Sequence, residues 1–304
     1  MDIINCEVTE EVENKIWREA VIVFDTSSLL NIYDLSDNSK EDFIQKIIVG
    51  LKHKIWLPYY VLYEYNKNRY KPIHKTIELY KGIREKCSKM NEEFKQIVNN
   101  TKDEDKHPII ENKILSEFEP ELKSFKEKID KEIELKIKTI EKTFENDNLK
   151  NSIDSNITIG EKFSFKEIQE IIDEGNNRYQ HKIPPGYQDI DKIGFQKFAD
   201  LIIWKEILKY SSSQKKSIIF VVDDKKEDWW VCDTKKIPLK PREELVYEIC
   251  ESSNIDFLMY NLSSFTKTSE RILNLDFLEK TIDEIELISL IDSNNIFYKG
   301  IKLS

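Results

Sequence analysis

The sequence predicts an α/β fold in which a parallel central sheet is flanked by helices and interrupted by a long helical insertion. Three observations predict it. Residues 20–24 and 218–222 are unbroken apolar runs of strand length, and each ends in acid, Asp25 in one case and Asp223-Asp224 in the other. The second run is followed by a helical stretch and a further apolar run at 257–260, and such strand–helix–strand alternation marks a parallel sheet. From about 72 to 150 the character changes: glycine nearly vanishes, charge dominates, and apolar residues recur at three and four, which is the pattern of long amphipathic helices.

Taken in order, residues 20–33 read as a buried strand running into a helix start, with Thr26, Ser27 and Ser28 offering capping hydroxyls before Leu29 and Leu30. Residues 40–49 carry Phe43, Ile47 and Ile48 at helical spacing. Residues 55–57 form a short strand ended by Pro58, and a helix follows over 59–70, where a proline in the first turn removes no needed N–H. Ile114, Phe118, Leu122, Phe125, Ile129, Ile133, Ile137, Ile140 and Phe144 make one stripe. The stretch is expected to be an antiparallel pair of helices broken near Asn99-Asn100-Thr101 and Pro108, with Pro120 either kinking the second arm or marking its start. Its charged remainder reads as a solvated face. A nucleic-acid clamp built on Lys123, Lys126, Lys128, Lys131 and Lys136 competes with that reading and is weakened by the interleaved Glu and Asp.

The Asn- and Ser-rich residues 146–160 read as a loop, 165–175 as a helix ending at Gly175, and 181–191 as a turn-rich loop around Pro184-Pro185-Gly186. Then come a helix over 195–210 containing Asp200, the strand 218–222, a helix over 241–252 opened by Pro241 with Glu243 and Glu244 in its first turn, the strand 257–260, and one or two helices over 263–304. The expected organisation is a core in two pieces, 1–71 and 181–262, an insertion over 72–180, and a C-terminal helical extension over 263–304.

Composition bounds the function. The 304 residues carry a net charge of -10 with 34% charged side chains, enough chain for a sizeable core and too acidic for a general nucleic-acid coat protein. The four cysteines, Cys6, Cys87, Cys232 and Cys250, form no CxxC pair and have no histidine cluster beside them, which argues against zinc and for a reducing setting. The N-terminal stretch has no apolar signal region, and no apolar run approaches the roughly 20 residues a membrane span requires. A cytoplasmic protein is expected.

The acids carry the chemistry. Asp25 closes the first strand, Glu64 lies on the helix after the second, Asp200 interrupts the apolar stretch 198–204, and Asp223 and Asp224 close the strand 218–222. In a parallel sheet the carboxyl ends of the strands share one edge, where ligands bind. Carboxylates gathered there cannot all ionise without a cation, so the pattern implies a hard divalent metal, Mg²⁺ or Mn²⁺. Each acid also has a plainer reading. Asp25 is equally an N-cap, Glu64 a surface partner of Lys67 or Lys71, and Asp200 a buried acid paired with an arginine. Adjacent acids at a buried strand end are harder to explain as turn residues. Asn68 and Arg69, one turn beyond Glu64, are candidates for substrate phosphate. Lys225 and Lys226 either hold phosphate or neutralise the neighbouring acids. Trp229 and Trp230 are packing anchors or base-stacking platforms.

Five stretches in one order give the chain a family resemblance: 23–31 (VFDTSSLLN), 57–65 (LPYYVLYEY), 184–189 (PPGYQD), 199–204 (ADLIIW), and 221–224 (VVDD) with 227–230 (EDWW). The chain resembles the PIN-like nucleases, in particular a larger bacterial subgroup with a helical insertion. The resemblance implies a parallel sheet sandwiched by helices and metal-dependent cleavage of RNA or single-stranded DNA. Carried over position by position, it implies metal-binding catalytic roles for Asp25, Glu64, Asp200 and Asp223. Asp224 becomes a supporting ligand, and Asp189, Asp228 and Ser27 become secondary site residues. Ala199 stands where many relatives carry glycine, and Ser27 where asparagine is common. Two ions with substrate bound would activate a water and stabilise the leaving oxygen. The resemblance also implies a toxin or anti-phage effector switched on by a partner such as an ATPase or antitoxin. The basic family does not explain the helical insertion, which is expected to serve homodimerisation, a regulatory partner or substrate gating.

Other assignments fail on residues. The first strand leads into Asp25-Thr26-Ser27-Ser28, not a glycine loop, which excludes dinucleotide and P-loop folds. A phosphatase of the aspartyl-nucleophile type would need an acid at Ser27, an adhesion-type metal motif would need a hydroxyl at Leu29, and a receiver domain would place its acid pair on the first strand. The alternative from another class is a PIN-like binding or scaffold module of weak catalysis that acts through its helical arm.

Overall fold

The computed structural model describes residues 9–101, 112–235 and 237–294. The chain divides into two compact units, Met1–Arg69 together with Asn148–Ser304, and Tyr70–Asp147. Residues 148–180 thus belong to the first unit.

The first unit opens with helix α1 (Glu10–Glu19), then strand β1 (Val21–Phe24), α2 (Thr26–Asn31) and α3 (Asp37–Phe43), which continues as a π-helical stretch over Ile44–Val49, followed by β2 (Trp56–Leu57) and α4 (Tyr59–Asn68). The second unit contributes α5 (Tyr70–Thr101) and α6 (Asn112–Glu145). The first unit resumes with α7 (Asn148–Asn156), β3 (Thr158–Ile159), α8 (Phe165–Gln180), two 3₁₀ turns (Tyr187–Asp189 and Gly194–Phe198), and α9 (Ala199–Gln214). It ends with β4 (Ile218–Val221), β5 (Trp230–Cys232), β6 (Pro238–Pro241), α10 (Glu243–Ser253), β7 (Phe257–Tyr260), α11 (Leu262–Leu273) and α12 (Glu279–Asn294).

β4 lies between β1 and β7, parallel to both, with Val21 beside Ile218 and Ile218 beside Phe257. β2 joins the other side of β1 through a parallel bridge, Ile22 to Ile55, and the Ile22 N–H donates to Lys54 O at 2.8 Å. β3 then pairs in parallel with β2. Every strand of this central layer therefore runs the same way. β1 and β4 are buried along their whole length because helices cover both faces, which is why their sequences are continuous apolar runs and do not alternate. The consequence for function is geometric: the residues that follow β1 and β4 leave the sheet at one edge.

Several elements differ from expectation, each for an identifiable reason. Residues 146–160 are α7 and β3, not a loop. Leu149 and Ile153 lie one helical turn apart and both sit in the core, so two apolar anchors outweigh the Asn and Ser around them. α8 runs past Gly175 to Gln180 because that glycine is a contact surface: a Cβ there would stand 2.6 Å from Phe198 Cδ1. Pro241 ends a strand, and the helix starts at Glu243. The hairpin of β5 and β6 accepts prolines because β6 pairs on one side only. α1, unanticipated, is capped by the Thr9 side chain and anchored by Trp17, whose ring stacks on Phe265 at 5.3 Å.

In the second unit, Tyr70 meets Phe144 and Arg84 meets Asp130, pairings that advance along α5 while retreating along α6, so the two helices are antiparallel. Pro120 lies inside α6 and neither ends nor starts it. Pro108 lies outside the described residues. The pair buries one stripe, including Ile77 and Ile133, and leaves Leu79, Ile83 and Met90 of α5 and Phe118, Phe125 and Leu135 of α6 exposed. Among the described residues no helix is long and apolar enough to cross a membrane.

The docking of α7 gives a direct test of the core. Leu149 is wholly buried, so Leu149→Ala removes its apolar contacts and leaves a cavity. Chemical denaturation should show a loss of about 2–4 kcal/mol; a loss below about 1 kcal/mol would mean that α7 does not pack as described.

Candidate active site

The turn after β1 organises the site. Asp25 leaves the sheet edge with its N–H bonded to Val221 O at 2.8 Å, and it caps α2. Its Oδ2 accepts from the Ser27 N–H at 2.9 Å and from Ser27 Oγ at 2.6 Å. The same Ser27 Oγ accepts the N–H groups of Asp223 at 3.1 Å and Asp224 at 3.2 Å. One hydroxyl thus joins the carboxyl ends of β1 and β4. Ser28 Oγ adds a second tie, donating to Val221 O at 2.6 Å. Asp25 is therefore the N-cap of α2, and the same carboxylate faces the charge of Asp224.

From there the neighbouring acids are placed one by one. Thr26 Oγ1 donates to Glu64 Oε2 at 3.3 Å, bringing the α4 carboxylate beside the β1 turn. Asp200 lies in the first turn of α9. Asp224 is held by its own turn, with Oδ1 accepting the Lys226 N–H at 3.1 Å. Asp189 comes from the 3₁₀ turn after the Pro184-Pro185-Gly186 stretch. Into this group reaches the Lys226 ammonium, which stands 2.8 Å from Asp224, 3.1 Å from Asp189 and 3.5 Å from Asp200. A second ammonium, Lys192, pairs with Asp189 at 2.7 Å and is half-exposed.

Two bonds of Asp223 lead outside this group. Its Oδ2 accepts from Asn31 Nδ2 at 2.9 Å and its Oδ1 from the Leu262 N–H at 2.7 Å. Asp223 thereby connects α2 to the start of α11, while the charge of its neighbour Asp224 acts on Asp25 and Asp200. The lysines divide in the same way. Lys225 Nζ donates to Ser289 O in α12 at 2.6 Å, while Lys226 enters the acid group. Asn68 and Arg69 lie at the end of α4, one turn beyond Glu64.

Asp228 is fully buried and acts through backbone. Its Oδ2 accepts the N–H groups of Gly186 at 3.1 Å and Gln188 at 3.0 Å, which fixes the loop that carries Asp189. Arg178 holds the other end of that loop, donating to Pro184 O at 2.9 Å while paired with Glu248. Gly186 has a φ of 91° and packs so tightly that a Cβ would meet the Tyr179 hydroxyl at 2.4 Å and Asp200 Cβ at 3.3 Å. Trp229 and Trp230 are buried. Trp229 packs edge-on to Trp204 with ring centres 6.3 Å apart, and Trp230 Nε1 donates to Asp224 O at 2.9 Å. Both are anchors for the Asp224 turn.

The electrostatics follow from burial. Asp25 is pushed up by desolvation against the lowering hydrogen bonds from Ser27, with the Asp224 charge adding to the rise. Glu64 is pushed up to about 7, chiefly by burial and then by the Asp25 charge. Asp200 rises well above the usual carboxylate range because it is buried, although Lys226 pulls it down against Asp224, Asp25 and Asp189. Its Oδ2 is buried and accepts no hydrogen bond, the Lys226 ammonium at 3.5 Å being an ionic contact only. The donors are all hard oxygens, their charge exceeds that of the two ammoniums, and Asp200 Oδ2, like Asp228 Oδ1, is buried without a donor, so the residues fit a hard divalent cation. Among the described residues no three His, Cys, Asp or Glu side chains already stand ready to share one ion. Lys226 occupies the middle of the group.

Glu206 was invisible in the sequence. Pro58 has no side chain that can cap α4, and Glu206 Oε2 from α9 accepts the Tyr60 N–H there at 3.0 Å. It thereby sets where α4 begins, and with it the position of Glu64.

A family model described as a PIN-like domain matches residues 21–245. No curated protein and no solved structure matches the chain.

Burial pushes Glu206 up to about 7 from an ordinary value of 4.5. The native state therefore holds a proton that the unfolded chain releases. The contribution of Glu206 to stability is full below pH 4.5 and is lost as pH rises through about 7. Glu206→Gln removes this loss, so denaturation midpoints of variant and wild type should diverge between pH 5 and pH 8, the variant gaining about 2 kcal/mol relative to wild type over that span. Parallel curves would show that Glu206 is ionised in the fold at neutral pH.

Proposed function

The chain belongs to the PIN-like domain family, whose members are typically nucleases, and from that premise we propose that it hydrolyses phosphodiester bonds in RNA or single-stranded DNA with a divalent cation, Mg²⁺ or Mn²⁺. What supports this reading is the mutual charge effect of acids at the carboxyl edge, Asp25 on Glu64 and Asp224 and Asp25 on Asp200, with Asp200 Oδ2 buried and without a hydrogen-bond donor. Bound there, the cation supplies a water of lowered pKa and positive charge against the phosphate oxygens. Asp25, Glu64, Asp200 and Asp224 are the side chains that would hold it. Ser27 and Thr26 orient the first two. Asp228 and Gly186 hold the Asp189 loop beside them. Asp223 fixes the Asp224 turn from the α11 side. Lys192 is half-exposed beside Asp189 and suits an incoming phosphate better than Lys225, which is bonded to Ser289 O.

No histidine is needed. Burial and the Asp25 charge push the Glu64 carboxylate up to about 7, and a cation bound beside it would offset both.

Purified protein with labelled RNA and single-stranded DNA, in Mn²⁺ and in EDTA, tests the proposal. Cleavage should require the metal, and Asp25→Asn, Asp200→Asn and Asp224→Asn should each lower the rate by 10²-fold or more, with Asp223→Asn acting mainly on stability. Intact RNA and DNA under every condition would favour the scaffold reading.

A second reading concerns the arm. An isolated antiparallel helix pair buries one stripe only, and Leu79, Ile83 and Met90 remain exposed on α5 at helical spacing. We propose that this ridge assembles the protein, as a homodimer or with a regulatory partner such as an ATPase or antitoxin of a toxin or anti-phage system. Ile83→Glu with Met90→Glu should convert any dimer to monomer in sedimentation equilibrium; a wild type that is monomeric at all concentrations would rule out the homodimer.

A further inference from the structure

The Lys226 ammonium is the most enclosed positive charge at the acid cluster, and its setting differs from that of the other lysines nearby. Its backbone is fixed on both sides. The Lys226 N–H donates to Asp224 Oδ1 at 3.1 Å, and the Lys226 carbonyl accepts the N–H groups of both Trp229 and Trp230 at 3.1 Å. Only the four-carbon stem is free to move. The ammonium contacts three carboxylates from three separate elements: Asp224 at 2.8 Å, Asp189 at 3.1 Å and Asp200 at 3.5 Å. Its side chain keeps 29% of its surface in contact with solvent, so a way out exists. Lys192, by contrast, touches Asp189 alone and is half-exposed, which makes it a weak pair. Lys225 is tied to the Ser289 carbonyl.

The charge at this place is unbalanced without Lys226. Asp25, Glu64, Asp189, Asp200 and Asp224 converge there, and burial of unpaired carboxylates is costly. A lysine, unlike an arginine, meets them as a point charge on a flexible stem with no bidentate lock, so it can yield to a competing cation. A divalent ion brings twice the charge to the same oxygens.

We infer that Lys226 is the built-in counter-ion of the acid cluster, and that a divalent cation and the Lys226 ammonium compete for Asp200 and Asp224, so that metal binding turns the lysine out of the cluster. Lys226 is on this account a positioning residue. It keeps the metal-free acids together and sets how much free cation is needed to load the site. The inference rests on the divalent-cation reading of the site given above.

The test uses the full chain. Mn²⁺ binding is followed by electron paramagnetic resonance at fixed ionic strength in wild type and in Lys226→Met, which keeps the stem and the backbone bonds. The dissociation constant should fall at least tenfold in the variant; an equal or higher constant overturns the inference while leaving the metal reading intact. A second measurement needs no variant. Amine labelling of the wild type is read by mass spectrometry with and without Mn²⁺, with Lys54, bonded to the Trp17 and Arg18 carbonyls far from the site, as reference. Saturating Mn²⁺ should raise labelling of Lys226 relative to Lys54 several-fold, and an unchanged ratio with Mn²⁺ bound overturns the inference. If neither protein binds Mn²⁺, the metal reading and this inference fail together, a result distinct from equal binding by both.

Discussion

Carboxylates withdrawn from water must be matched by oriented N–H groups, by ammonium ions or by protons, and this chain uses all three at one edge of its sheet. Asp25 takes the hydroxyl and N–H of Ser27. Asp228 takes the N–H groups of Gly186 and Gln188, and Asp223 takes Asn31 and the Leu262 N–H. Asp189 and Asp224 take Lys226. Asp25, Glu64, Asp200 and Asp228 are nevertheless pushed upward, chiefly by burial, and Asp200 Oδ2 and Asp228 Oδ1 are buried without a donor. That remainder is a shortage of positive charge at the sheet edge, and a cation bound among the acids would relieve it.

The parallel topology makes the remainder possible. Because β1 and β4 run side by side in the same direction, the residues after Phe24 and after Val221 emerge together, and a single hydroxyl at Ser27 spans them. Had the strands been antiparallel, Asp25 and Asp224 would lie at opposite ends of the sheet. The helices bring the rest. α4 presents Glu64 because its start is held by Glu206, and α9 presents Asp200 in its first turn, where the partial positive charge of a helix N-terminus favours a carboxylate.

Much of this was legible in the sequence, and the limits have physical causes. The two apolar runs ending in acid gave the strands, their direction and the shared edge, because strands buried on both faces have no other way to look. The long stripe after residue 72 gave the helix pair for a similar reason. What periodicity cannot supply is the direction of a side chain in irregular backbone. After Val221 the chain leaves the strand through a turn, so whether Asp223 or Asp224, Lys225 or Lys226, faces the acids depends on hydrogen bonds to Ser27, Asn31 and Ser289, all remote in sequence. Glu206 was hidden by the same logic, since its partner is a backbone N–H on another helix. α7 was missed because two buried apolar residues among Asn and Ser make a faint pattern, and Gly175 misled because a glycine that admits Phe198 looks like a glycine that ends a helix.

The doubled acid at the end of β4 shows how structure and chemistry share one stretch of chain. At the end of β4 the two tasks fall to adjacent aspartates. With two, Asp223 takes the structural bonds and thereby fixes the backbone from which Asp224 projects. The same division recurs at once in the next two residues: Lys225 is bonded to Ser289 and Lys226 turned to the acids. The Asp228-Trp229-Trp230 segment that follows closes the arrangement, since its tryptophans pin the turn to the core and its aspartate holds the loop bearing Asp189. The charged run at 223–228 is therefore read in two registers, one that builds the sheet edge and one that charges it.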